Sequence, residues 1–229
     1  MGYYPVFLEL DQRPCLVIGG GSVALQKVSG LLIAGARVTV VSPDLRAELN
    51  VMLQQGQITH IPREYEAGDL EGMTLVMVAT DDGAVNRQAA EDCRKRRIWV
   101  NASDDPPNCD FILPSVVRKG KITLAASTSG TSPALARRLR EELDVYLSDD
   151  FEPLADLLAE VRQDLRARRI VVDADTWQHA IDGQLRALLA QRRYGQARAR
   201  LLAGLGIELR PIVVDEVEVP EPVGSASSG

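Results

Sequence analysis

The sequence predicts an α/β protein in three parts: a parallel sheet covered by helices, then a small α+β unit, then a helical domain. Three observations carry this. Short β-branched runs alternate with helix-compatible stretches over residues 1–113. The alternation gives way at 114–150 to a hairpin pattern and one helix. Over 151–209 apolar residues recur at helical spacing.

Each element follows from local chemistry. Pro14-Cys15-Leu16-Val17-Ile18 is an apolar run ended by Gly19-Gly20-Gly21, which reads as a buried strand leaving through a tight turn. Ser22 to Ala34 suits a helix, with Ala24, Val28, Leu31 and Leu32 on one face and Gly35 where the helix should stop. Arg37 to Val41 is a second strand, so this opening is a βαβ unit of the Rossmann type. Ile58 to Ile61, Leu75 to Ala79 and Arg97 to Asn101 read as further strands, and residues 83–96 as a polar helix. Val116 to Arg118 and Ile122 to Ala126 flank Lys119-Gly120-Lys121 as a hairpin, and Pro133 opens the next helix. Leu154, Leu157, Leu158, Val161 and Leu165 form one apolar stripe; Trp177, Ile181, Leu185, Leu188 and Leu189 form another. Residues 210–229 are acidic and Pro-rich and read as a disordered tail.

Composition narrows the function. The 229 residues are 45% hydrophobic and 25% charged, as in a soluble globular protein. A net charge of −6 and 4% aromatics argue against a nucleic-acid partner. No stretch reaches the roughly 20 apolar residues of a membrane span, and Met1 to Pro5 has no signal-like pattern. Cys15, Cys93 and Cys109 have no metal-ligand spacing, so the expectation is a cytoplasmic protein without a metal site. Only His60 and His179 are present, which leaves proton transfer to carboxylates.

Gly19-x-Gly21-x-x-Ala24 fits a dinucleotide-binding turn. Gly19 permits the turn, Gly21 admits a pyrophosphate, Ala24 keeps helix and strand close, and the backbone at Ser22 and Val23 meets the phosphates. Ser42-Pro43 follows the second strand, with no acid at its end and no arginine there; NAD is expected over NADP. Thr80 and Asp81 end the strong central strand, and Asp104 and Asp105 follow the last. Such positions face the cofactor edge of a parallel sheet, although Asp82 and its like also serve as ordinary turn and cap residues.

The chain resembles the precorrin-2 dehydrogenase family, which includes the N-terminal part of siroheme synthases. The matching pieces are Tyr4 to Leu8, Cys15 to Ala24 with Lys27, Ala79 to Asp82 with Val85-Asn86, Val100 to Asp104, Phe111 to Ser115, and Ser129 to Ala136. They agree in order and spacing over about residues 1–150, and the last two are specific. The resemblance implies an intimate homodimer through a 114–150 dimerisation unit, NAD as acceptor, precorrin-2 as substrate and sirohydrochlorin as product. It implies Asp104 as the catalytic residue. The substrate's many carboxylates call for cations, for which Lys119, Lys121, Arg137, Arg138 and Arg140 are candidates. Some members also insert iron as ferrochelatases. Thr128 stands where some members carry a phosphorylated serine, and no methyltransferase part is expected. A different class, a non-catalytic NAD-sensing module, would keep the glycine turn without needing Asp104 or the cations.

Overall fold

The computed structural model describes residues 2–103 and 105–207. Asp104 and the 210–229 tail lie outside the described residues. Five parallel strands, β1 (Pro14–Ile18), β2 (Arg37–Val41), β3 (Ile58–Ile61), β4 (Leu75–Val78) and β5 (Trp99–Ala102), form one sheet in the order β3-β2-β1-β4-β5. The helices α1 (Ser22–Ile33), α2 (Ala47–Gln54) and α3 (Gly83–Arg96) alternate with them. This is the doubly wound arrangement that the βαβ opening predicts.

The period-2 alternation of the strands divides the core in two. Cys15, Val17, Val38, Val40 and Met77 pack with Ala24, Val28 and Leu31 of α1. Leu16, Ile18, Val76, Val78 and Val100 pack with Ala89, Ala90 and Cys93 of α3. Central strands buried on both faces need the unbroken apolar runs seen here.

Register then places the site. Ile18 pairs with Val41 on one side and Val78 on the other, and Val78 pairs with Ala102. Four strands therefore end level. The sheet order reverses between β1 and β4, where a crevice opens beyond the strand ends.

Two local differences from the sequence reading have plain causes. The last strand begins at Trp99, because Arg97 adopts φ 59° and caps α3 in a left-handed turn. The second C-terminal stripe is split between α6 (Ala174–Ala180) and α7 (Gly183–Ala190). Asp182 causes the break: its carboxylate accepts from Leu185 N at 2.8 Å and starts a new helix.

The chain divides into two compact units, residues 1–114 with 127–133, and 115–126 with 134–229. Sequence reading treats 114–150 as a part of its own; within the chain its hairpin and helix group with the C-terminal helices. The hairpin, β6 (Ser115–Lys119) and β7 (Ile122–Ala126), is antiparallel. Lys119 pairs with Asp149 at 3.6 Å and Lys121 with Asp156 at 2.8 Å, which ties the hairpin to the start of α5 (Phe151–Ala167). Leu154, Leu157, Val161 and Leu165 of α5 bury against Leu185, Leu189 and Leu201, the last from α8 (Tyr194–Gly204). By contrast α4 (Pro133–Tyr146) buries none of its residues, and Val145 stands 82% exposed. Among the described residues no helix is long and apolar enough to cross a membrane.

Candidate functional site

The glycine turn is built by two different demands. Gly19 has φ +115°, and a β-carbon there would stand 2.3 Å from the Ala79 carbonyl oxygen, so only glycine fits. Its N–H donates to Val41 O at 2.8 Å, fastening the end of β1 to β2. Gly21 meets nothing within 4 Å, so the chain itself leaves that space open. Gly21 caps α1 without a side chain, and no acidic residue lies in the first turn. Helix-start N–H groups and open space together suit an anion. Ala24 is fully buried between α1 and the sheet.

One hollow, of about 370 Å³, lies against this turn and is lined by Gly20, Gly21, Ser22, Ser42, Asp44, Leu45 and Arg46. The loop after β2 folds back to form one side of it. Ser42 Oγ donates to Asp44 O at 2.7 Å, and Arg46 N donates to Gly20 O at 2.9 Å. Arg46 also pairs with Glu48 at 2.8 Å. The end of β2 carries no acid and no arginine, yet this return brings Asp44 and Arg46, further along the loop, to the wall. Pro43 is exposed and does not line the hollow.

A second hollow, of about 310 Å³, opens beyond β4 and β5 and is lined by Val23, Ala79, Thr80, Asp81, Asn86, Ser103 and Asp105. Asp82 is spent on α3, accepting from Ala84 N at 2.7 Å and Val85 N at 3.3 Å. Asp105 accepts from Asn108 Nδ2 at 2.8 Å. Below the hollow the neck of the 102–110 loop is closed by Asn101, whose Nδ2 donates to Phe111 O at 2.8 Å. Lys27 Nζ in turn donates to Asn101 Oδ1 at 3.4 Å. Asn86 and Asn101 are both buried, and sequence reading gave neither a role at the site. In the sequence, only its place one turn into the helix after a central strand marks Asn86; its burial is a product of the fold.

The remaining groups do not compete for the chemistry. Burial pushes the Cys15 thiol up to about 11 and Cys93 to about 12, and raises the Cys109 thiol as well. His60 Nε2 lies 2.8 Å from Ser42 O and His179 Nδ1 2.7 Å from Asp175 O, and neither lines the two hollows described above. Among the described residues no cluster of three His, Cys, Asp or Glu side chains could hold a metal ion.

The sequence-predicted cofactor residues thus fall into sets. Gly21, Ser22 and Ser42 line the first hollow, Val23, Thr80 and Asp81 the second, and Gly19 and Ala24 pack behind them. The five candidate cations belong to the other compact unit, where each pairs with an acid. Arg137 meets Glu141 at 3.2 Å and Arg138 meets Glu142 at 2.8 Å, one helical turn apart. Thr128 Oγ1 donates to Ser132 O at 3.1 Å and accepts from Ser132 N at 3.2 Å, closing its loop.

An NAD(P)-binding family model matches residues 6–115, and a "Sirohaem biosynthesis protein central" model matches 119–145. The siroheme synthase of Thioalkalivibrio sulfidiphilus is 40% identical over 216 residues, covering 92% of this chain and 44% of that protein. That of Methylobacillus flagellatus is 43% identical over 164 residues, covering 72% of this chain and 35% of the relative. The chain therefore spans less than half the length of these relatives. A solved structure titled "SirC, precorrin-2 dehydrogenase" superposes with a TM-score of 0.70 at 30% identity, over 86% of this chain and 100% of its own.

Proposed function

Because this chain belongs to the precorrin-2 dehydrogenase family, we propose that it oxidises precorrin-2 to sirohydrochlorin with NAD, a step of siroheme biosynthesis. The observation that carries the reading is the pair of hollows along one level row of strand ends. The first suits the adenosine and phosphates: an open glycine turn, a helix start and a folded-back loop. The second suits the reactive ring, set between carboxylates. NAD bound there supplies the hydride acceptor.

The chain's own residues do the rest. Ser22 and Val23 would present backbone N–H groups to the phosphates, and Thr80 and Asp81, which line the second hollow, would hold the ring. We assign the accompanying proton to Asp104, which stands between Ser103 and Asp105 in the sequence and which the family resemblance marks as catalytic. Lys119, Lys121, Arg137, Arg138 and Arg140 are proposed to meet the substrate's carboxylates by exchanging their present partners. The unpartnered surface of α4 supports a homodimer through residues 114–150. Three cysteines without a disulfide suit a cytoplasmic setting.

Incubation with precorrin-2 and NAD, followed by the visible spectrum of sirohydrochlorin, tests the reading. A protein that binds NAD and never turns over is the sensing module instead. Ferrous iron added to the same incubation tests ferrochelatase activity.

A further inference from the structure

Among the described residues, two side-chain polar atoms are shut away from solvent with no hydrogen-bond partner: Asn86 Oδ1 and Ser103 Oγ. They come from different elements, the first turn of α3 and the end of β5, and both residues line the second hollow. Such groups are scarce in folded proteins, since each loses its hydration and receives nothing in return.

The chemistry of the pair is determined. Asn86 is 6% exposed, and its Nδ2 donates to Thr80 O at 3.3 Å. Turning the amide over would set oxygen against that carbonyl, so the orphaned end is an obligate acceptor. Ser103 is fastened by its backbone N–H on Val78 O at 2.9 Å, and its hydroxyl can donate. The pair thus offers an obligate acceptor and a hydroxyl free to donate, neither charged.

A primary carboxamide complements the pair: its N–H groups reach Asn86 Oδ1, and its carbonyl accepts from Ser103. A carboxylate does not, because it would bring oxygen against Asn86 Oδ1, and Asp81 and Asp105 on the same wall repel it. Those carboxylates favour a ring carrying positive charge, and Val23, 37% exposed, gives the ring an apolar neighbour. Resting on the NAD reading above, we propose that Asn86 and Ser103 are the residues that hold the nicotinamide carboxamide. They select the amide over the acid form of the dinucleotide.

Calorimetric titration with three probes tests this: NAD, its deamidated nicotinic-acid analogue, and ADP-ribose, which lacks the ring. The wild type should bind NAD more tightly than the deamidated analogue. Ser103→Ala is the decisive variant, because its hydroxyl bonds nothing in the free protein, whereas Asn86→Ala also releases the Thr80 carbonyl. Ser103→Ala should lose about tenfold in NAD affinity, keep its ADP-ribose affinity, and melt no lower than wild type. Equal losses for NAD and ADP-ribose overturn the assignment, and so does no loss for either, which would mean that water fills the gap. If the wild type binds neither NAD nor ADP-ribose, the dinucleotide reading itself fails, and the carboxamide site fails with it.

Discussion

A β-carbon at Gly20 would stand 2.0 Å from the backbone carbonyl oxygen of Asp44 and 2.8 Å from Ser42 Oγ. The middle glycine of the turn is thus required by the chain, whereas nothing in the chain itself crowds Gly21. Two substitutions separate the roles. Gly20→Ala must displace the 42–46 loop and should cost about 1–3 kcal/mol of stability, as overpacking does. Gly21→Asp has open space, so it should melt close to wild type yet lose NAD binding through bulk and like charge at the phosphates. Thermal melts paired with NAD titration check both; near-normal NAD affinity in Gly21→Asp would move the cofactor site elsewhere.

Asp104→Ala should fold, bind NAD and lose about 10²- to 10⁴-fold in kcat, the range for a missing general base. Asp105 lines the hollow and is bonded to Asn108, so Asp105→Ala should act on KM for NAD more than on kcat. Steady-state kinetics with precorrin-2 decides between them. Retention of more than about a third of kcat in Asp104→Ala, far above that range, would make Asp104 a turn residue.

How much of this was legible beforehand depends on range in sequence. β1, α1 and β2 were readable because an apolar run, a glycine turn and a 3.6-residue period are local signals. α2 was not, since it buries Leu49 alone and its start at Arg46 has no side-chain cap. Gly19, Gly21 and Ala24 were visible in the spacing of the turn, whereas Gly20 is fixed by Asp44, a contact only the folded chain makes. Asn86 looked like one more polar position on a polar helix; its burial arises from packing against the end of β4. The Lys and Arg candidates were read as cations available to substrate; the acid partners of the arginines lie close by in α4, and those of the two lysines lie about the start of α5.

Asp150 offers a test by pH. Hydrogen bonding from Arg186 holds its carboxyl below the ordinary range, with further help from Ser148. The Arg186 Nε to Asp150 Oδ2 distance is 2.5 Å, and the guanidinium lies 4.2 Å over the Phe151 ring. A depressed native value means stability that is present above the unfolded carboxylate range and lost as pH falls through the native value. Asp150→Asn should therefore cost about 1–2 kcal/mol at neutral pH, discounted because Arg186 is part-exposed. The gap should close in acid. Urea unfolding at both pH values checks it, and a constant gap would show that the amide disturbs packing rather than charge.

Light scattering at micromolar concentration should give twice the chain mass. A clean monomer with full dehydrogenase activity would remove the homodimer from the mechanism. In that case the exposed surface of α4, Val145 included, would need another explanation.

The first compact unit is not a continuous length of chain: residues 127–133 belong to it although 115–126 and everything after 133 belong to the other. The backbone passes between the units three times, at 114/115, 126/127 and 133/134. No single cut can release either unit whole. A truncation after Pro114 would strip the nucleotide-binding sheet of a piece that returns to it, and one after Pro133 would carry an orphaned hairpin along. A protease nick within Lys119-Gly120-Lys121 would fall inside one unit and leave all three passages covalently joined to it on one side or the other.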